Sequence, residues 1–234
     1  MLCVWACIVI CLLSASTMAL EGTETVSTTF ESLADPAEGN QYRKDVMNAW
    51  QLIHEGHYSK AFSVADEVIS QFEGIFDHTA RQFAFKSDVE FEEFIARDDK
   101  PAQRIDWSYI EALQIKAYIY SSNRYFEMAL AELETIDHIA PISAATKIEK
   151  AYILGQLNEL SSAYDTYRGA LKLADRFSSQ SIYKAAALRG IGFILIEMDK
   201  LEEAEEALQK SLIIEPDNDV ALNELAYIQQ LRGL

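Results

Sequence analysis

The stretch Ala185 to Asn218, AAALRGIGFILIEMDKLEEAEEALQKSLIIEPDN, admits few folded solutions. Apolar and small residues recur every three or four positions, at Leu188, Gly192 and Leu195 and again at Leu201, Ala204, Leu208 and Ser211. That period describes two short amphipathic helices joined by a tight turn, each presenting one face to the other. Gly192 and Ala204 are small enough for the two backbones to approach closely. Pro216 blocks helix continuation because it has no N–H and its ring collides with the preceding turn, and the Asp217-Asn218 pair after it suits the cap of another helix. The rest of the chain reads as copies of this hairpin, caps for it, or a means of delivering it.

Counted from Ala185 as position 1, the hairpin has an apolar residue at position 4, small residues at 8 and 20, and proline at 32. In this it resembles a tetratricopeptide repeat. The resemblance implies an all-α fold, a right-handed superhelical solenoid of helix-turn-helix repeats with a C-terminal capping helix, and a protein that holds partners without chemistry of its own. Further copies are expected near 42–75, 110–143 and 144–184 beside the founding one at 185–218. The first places Ala49 and Ala61 at the small positions and Gly56 in the turn; Asp45 stands where an apolar residue is usual, as a first repeat with a wet outer face allows. The second runs in phase from Ile110 through Leu113, Ala117, Phe126, Ala129, Leu133, Ile136 and Pro141. The third has Ala151, Ala163, Tyr167 and Ala170. The fourth begins seven residues late, which two added turns in the preceding helix would absorb without rotating its inward face. Residues 219–231 read as a terminal cap with Leu222, Leu225 and Ala226 facing back. Residues 76–109 break the pattern and read as a helical insertion, with one helix from about Asp88 to Arg97 opened by a Ser87/Glu90 capping box. Val89, Phe91, Phe94 and Ile95 then supply apolar surface, expected to buttress the repeats, with a lid or partner surface as the alternative.

The first twenty residues carry no charged side chain, and an apolar run gives way to small polar residues at Thr17-Met18-Ala19. This is the pattern of a signal peptide at 1–19, cleaved after Ala19, which implies a secreted or periplasmic protein. An uncleaved membrane anchor is the alternative, since the run approaches the length of a bilayer span. Cys3, Cys7 and Cys11 all lie in this segment, so the mature chain would have neither a disulfide nor a thiol nucleophile. Residues 20–40, rich in Thr, Ser and Glu, read as a flexible linker before the body at 41–234. The net charge of −17 falls wholly on the mature part. Such a surface repels phosphate backbones and anionic headgroups, so the expected partner is a protein or peptide, basic or apolar rather than acidic. Nucleic acid is not expected, nor membrane except through an uncleaved signal.

One column repeats beside the small residue at position 8. Position 9 is Trp50, Tyr118, Tyr152, Phe193 and Tyr227, with intervals of 68, 34, 41 and 34 residues, in a chain that is 11% aromatic. Positions 2, 5, 9 and 12 form a stripe about a hundred degrees round the helix from the packed stripe at 4, 8 and 11. In tetratricopeptide arrays that stripe lines the concave groove that holds peptides. The resemblance therefore makes these five rings, with Gln114, Arg189 and Asn223 at position 5, the candidate ligand-binding residues. Rings at helix spacing suit about every third residue of an extended peptide. They also suit the faces of sugars, which leaves a carbohydrate-binding or polysaccharide-export accessory role as an alternative. The competing reading is that the rings wedge between neighbouring helices as core. The clamp by which some family members hold chaperone carboxylates is absent: Val46, Trp50, Ala145 and Glu149 stand at its positions.

Catalytic and metal readings find little support. His54-Glu55-Gly56-His57 lacks the i, i+4 spacing of a zinc-binding helix pair and occupies the repeat turn. Glu90, Glu92, Glu93, Asp98 and Asp99 are better explained as a charged surface of the insertion than as an acid/base pair. No glycine-rich phosphate loop is present. The expectation is no enzyme, no cofactor and no metal.

Overall fold

The computed structural model describes residues 30–32, 36–76, 80–98, 100 and 102–233. The proposed signal segment with its three cysteines, and the linker residues before 30, lie outside the described residues. The chain divides into two compact units, one from Thr28 to Thr146 and one from Lys147 onward.

In the first unit, α1 (Pro36–His54) packs on α2 (Tyr58–Glu73), and α4 (Trp107–Ser122) packs on α5 (Phe126–Ile139) and on both earlier helices. The second unit takes in most of α6 (Ala144–Gln156), then α7 (Leu160–Arg176), a 3-10 segment (Ser178–Tyr183), α8 (Lys184–Glu197), α9 (Leu201–Ile214) and α10 (Asp219–Leu231). The inner columns of the repeat are closed to solvent in every hairpin. Ala61, Ala129, Ala163 and Ala204 at position 20 are wholly buried, and so, within two per cent, are Ala65, Leu133, Tyr167 and Leu208 four residues on. Gly192 shows why position 8 must be small: a Cβ there would lie 2.6 Å from Leu208 Cγ.

The turns repeat as faithfully as the packing. Gly56, Arg124, Asn158 and Asp199 each have φ between 58° and 80° and each follow the first helix of a hairpin. After each, the next N–H reaches back five residues, as in Tyr125 N to Tyr120 O, Glu159 N to Leu154 O and Lys200 N to Leu195 O, all at 2.9 Å. This is the left-handed helix stop that satisfies the last carbonyls and turns the chain sharply. Two of the later helices, α4 and α10, open on a side-chain cap. Asp106 accepts from Ser108 N at 2.9 Å and Asn218 from Ala221 N at 3.2 Å.

Four local features differ from expectation. First, the segment 76–109 is not purely helical. It holds β2 (Gln82–Ala84), α3 (Asp88–Ile95) and β3 (Ala102–Ile105), and β1 (Phe30–Ser32) joins to give a parallel sheet in the order β1-β3-β2. β1 and the start of α1 thus occupy part of the stretch read as linker. The phenylalanines pack on one another: Phe83 and Phe85 meet Phe91 and Phe94 with ring centroids 4.9 to 5.6 Å apart, so the segment has a small core of its own. Second, Ser87 caps α3 by accepting from Glu90 N at 3.3 Å, and the Glu90 carboxylate reaches back past the cap to accept from Lys86 N at 2.7 Å.

Third, the extra residues before the fourth hairpin do not simply lengthen α7. Phe177 turns extended and buries its ring, and the 3-10 segment that follows buries Gln180 and Tyr183. Fourth, Leu222 and Ala226 of α10 face outward, whereas Ala221 and Ile228 are buried. Positions 4 and 8 pack on the second helix of their own unit. Among the described residues α10 has none, so it seats through its neighbouring stripe.

Candidate functional site

All five position-9 rings are half-buried, neither closed in the core nor free of it. In the first unit, Trp50 on α1 and Tyr118 on α4 meet edge to face, ring centroids 6.1 Å apart at 62°. The Tyr118 hydroxyl lies near those of Ser122 and of Tyr58, which opens α2. Partial burial, aided by Tyr58 and opposed by Ser122, holds the phenol above its ordinary pKa. Behind this cluster Lys116 reaches Asp66 at 3.0 Å and Glu132 at 3.3 Å, tying α4 to α2 and α5, with its ammonium 5.2 Å from the Phe62 ring. In the second unit, Tyr152, Phe193 and Tyr227 occupy the same helical position on α6, α8 and α10.

The position-5 residues behave differently from the rings. Gln114 is buried and Asn223 exposed. Arg189 is buried and engaged: its Nη1 donates to Glu215 Oε2 at 2.5 Å, and the same oxygen accepts from Asn218 Nδ2 at 3.1 Å. Because Asn218 also caps α10, Arg189 fastens α8 to the loop that starts the last helix. Composition alone could not separate an arginine facing a ligand from one closing a loop, since its partner Glu215 lies 26 residues away.

Two carboxylates of the insertion are committed to local structure, and Asp99 lies outside the described residues. Glu90 is buried against the Lys86 amide, and Asp98 takes two hydrogen bonds from Arg81 at 2.5 and 3.2 Å, which hold its pKa below the usual range. His54 and His57 are exposed at the end of α1 and in its turn. Among the described residues no cluster of three or more His, Cys, Asp or Glu side chains is arranged for a metal. Nor, among them, is any helix long and apolar enough to cross a membrane.

The tetratricopeptide repeat family profile matches residues 187–218, the hairpin from which the other units were phased. The hairpin at 187–218 is a tetratricopeptide repeat. Solved repeat structures share the fold at low identity. PilW, a type IV pilus biogenesis factor, is 17% identical with a TM-score of 0.60 over 86% of this chain and 72% of its own. A tetratricopeptide repeat protein from Parabacteroides merdae is 13% identical, TM-score 0.57, over 83% of this chain and 61% of its own. MamA is 15% identical, TM-score 0.56, over 84% and 85%. No curated protein matches the chain at a significant level.

Proposed function

We propose that this tetratricopeptide repeat protein is a non-catalytic scaffold that binds a partner protein or peptide against its position-9 rings. Trp50 and Tyr118 serve in the first unit, and Tyr152, Phe193 and Tyr227 in the second. The observation that carries this reading is the recurrence of a half-buried ring at one repeat position in five helices, where a core wedge would be closed and a chance aromatic fully exposed. Asn223 is exposed and so can hydrogen-bond a partner backbone. Arg189, buried and paired with Glu215, contributes by holding its helix in place, and Gln114 is buried. The net charge of −17 favours a basic or apolar partner and disfavours nucleic acid. Secretion or periplasmic delivery rests on the character of residues 1–19.

The test is Tyr118→Ala combined with Tyr152→Ala. Removing the edge contact to Trp50 costs about 0.5 to 1.5 kcal/mol beyond the loss of the ring's own partial burial, and helical circular dichroism should be retained. Losing two anchor rings should remove the partner from a pull-down. A double variant that captures the same partner undiminished refutes the reading. So does one that melts far earlier, because the column is then core. Titrating Tyr fluorescence with glycan fragments in parallel with peptides separates the peptide from the sugar reading.

A further inference from the structure

A second recess lies in the first unit, away from the position-9 rings. It is a cleft of about 930 Å³ between the end of α2, β2, the start of α4 and the end of α5. Phe76 and the buried Tyr109 stand at right angles to each other on one side, ring centroids 4.9 Å apart. Both are held from behind by the fully buried Phe72, at 6.3 and 5.6 Å. On the other side Phe83 carries the Arg81 guanidinium 5.0 Å from its centroid. That arginine is neutralised by its two hydrogen bonds to Asp98, so it adds little net positive charge.

Among the described residues the remaining charge is negative. Glu73 lies on the rim, exposed, and forms no ion pair among the described residues. Tyr109 feels both Glu73 and Glu132: burial first, and then these two carboxylates, push its phenol up to about 12. His138 is the other titratable group on the rim. The cleft thus joins preorganised aromatic rings to an unneutralised carboxylate, the combination that attracts a cation carried on an apolar stem.

We infer that the cleft is a binding site for the arginine or lysine side chain of a basic partner segment. Its guanidinium or ammonium would meet Glu73 while its methylenes lie along Phe76 and Tyr109. This site is independent of the position-9 rings. An acidic segment is repelled by Glu73, and a purely apolar one leaves the Glu73 carboxylate to be desolvated without a partner.

The probes are N-acetyl-arginine amide, its neutral isostere N-acetyl-citrulline amide, and tetramethylammonium, each titrated into the full chain and followed by NMR at the Phe76, Tyr109 and His138 rings. The arginine probe should shift these resonances saturably, with citrulline at least about five-fold weaker. Glu73→Gln, at an exposed position, should bring arginine down to the citrulline level while leaving the melting temperature unchanged. Equal response to arginine and citrulline overturns the inference, as does an arginine effect that Glu73→Gln leaves intact, or shifts confined to other residues. Tetramethylammonium binding more tightly than arginine also overturns it, because the site then reads a free quaternary amine. Loss of arginine binding in the Tyr118→Ala, Tyr152→Ala variant would show that the two surfaces are not independent.

Discussion

Gly190 offers the sharpest test of the close packing between α7 and α8. A Cβ built there would sit 2.1 Å from Tyr167 Cε1 and 2.4 Å from its Cζ. Ordinary carbon contacts lie at roughly 3.5 to 4.0 Å, so Gly190→Ala demands a separation of more than an ångström. The ring cannot yield by turning outward, because Tyr167 is 1% exposed. Two effects oppose each other. Alanine is favoured over glycine in a helix interior by about 1 kcal/mol, whereas overpacking a tight core costs about 1 to 3 kcal/mol and here falls at the upper end. The net expectation is a loss of about 1 to 2 kcal/mol, lowering Tm by roughly 2 to 8 °C for a chain of this size.

Gly169→Ala, on the preceding helix, is the matched control. Its Cβ would meet only Lys147 Cδ, at 3.5 Å, so the helix preference acts alone and stability rises by up to about 1 kcal/mol. Both are read from urea denaturation followed by circular dichroism. The reasoning is refuted if Gly190→Ala unfolds at the same or higher urea than the parent. It is also refuted if Tyr167→Leu fails to relieve the Gly190→Ala defect in a double-mutant cycle, since the clash is assigned to that ring alone.

Glu215→Ala leaves the Arg189 guanidinium, whose side chain is 10% exposed, without its carboxylate. The cost of stranding a fully buried charge is discounted because Glu215 is itself 42% exposed, giving about 1 to 2 kcal/mol by urea denaturation, with Glu215→Gln milder. Glu224 on α10 has its pKa raised by burial and then by the Glu197 charge. A raised carboxyl pKa means that the folded form holds the proton more tightly, so the benefit is full in acid and is lost as pH rises through the raised value. Glu224→Gln should therefore stabilise the chain at pH 7, by about 0.5 kcal/mol after solvent screening, and give no gain at pH 4.

The hairpins were legible because the packing that makes them is local. Position 8 meets position 20 across one short turn, so Gly192 with Ala204, or Ala117 with Ala129, can be paired by counting. The sheet was not. Its strands are three or four residues long, too short to show alternation, and the pairing of Phe30 with Ala102 spans a separation no local pattern encodes. The cleft was equally hidden, since Glu73, Phe83, Tyr109 and His138 come from four separate elements. Phe177 shows a related limit. Seven added residues are compatible with two more turns of helix, but the gain from burying Phe177, Gln180 and Tyr183 redirects the chain into a 3-10 segment.

The rings and the turns share a register that bears on what the rings are for. Trp50, Tyr118, Tyr152 and Phe193 each stand six residues before the left-handed residue that ends their helix, Gly56, Arg124, Asn158 and Asp199. Three of those four turn residues carry side chains, so glycine alone would not have revealed the stop; the backbone hydrogen bond that closes it is what recurs. Each ring therefore takes its angular place from a backbone device outside the ring's own packing. Deleting a ring should leave the hairpin's register unchanged, and a loss of partner in the Tyr118→Ala, Tyr152→Ala variant would then report on contact with the rings. A wedge that set the helix spacing would behave otherwise, because its removal would move the helices as well.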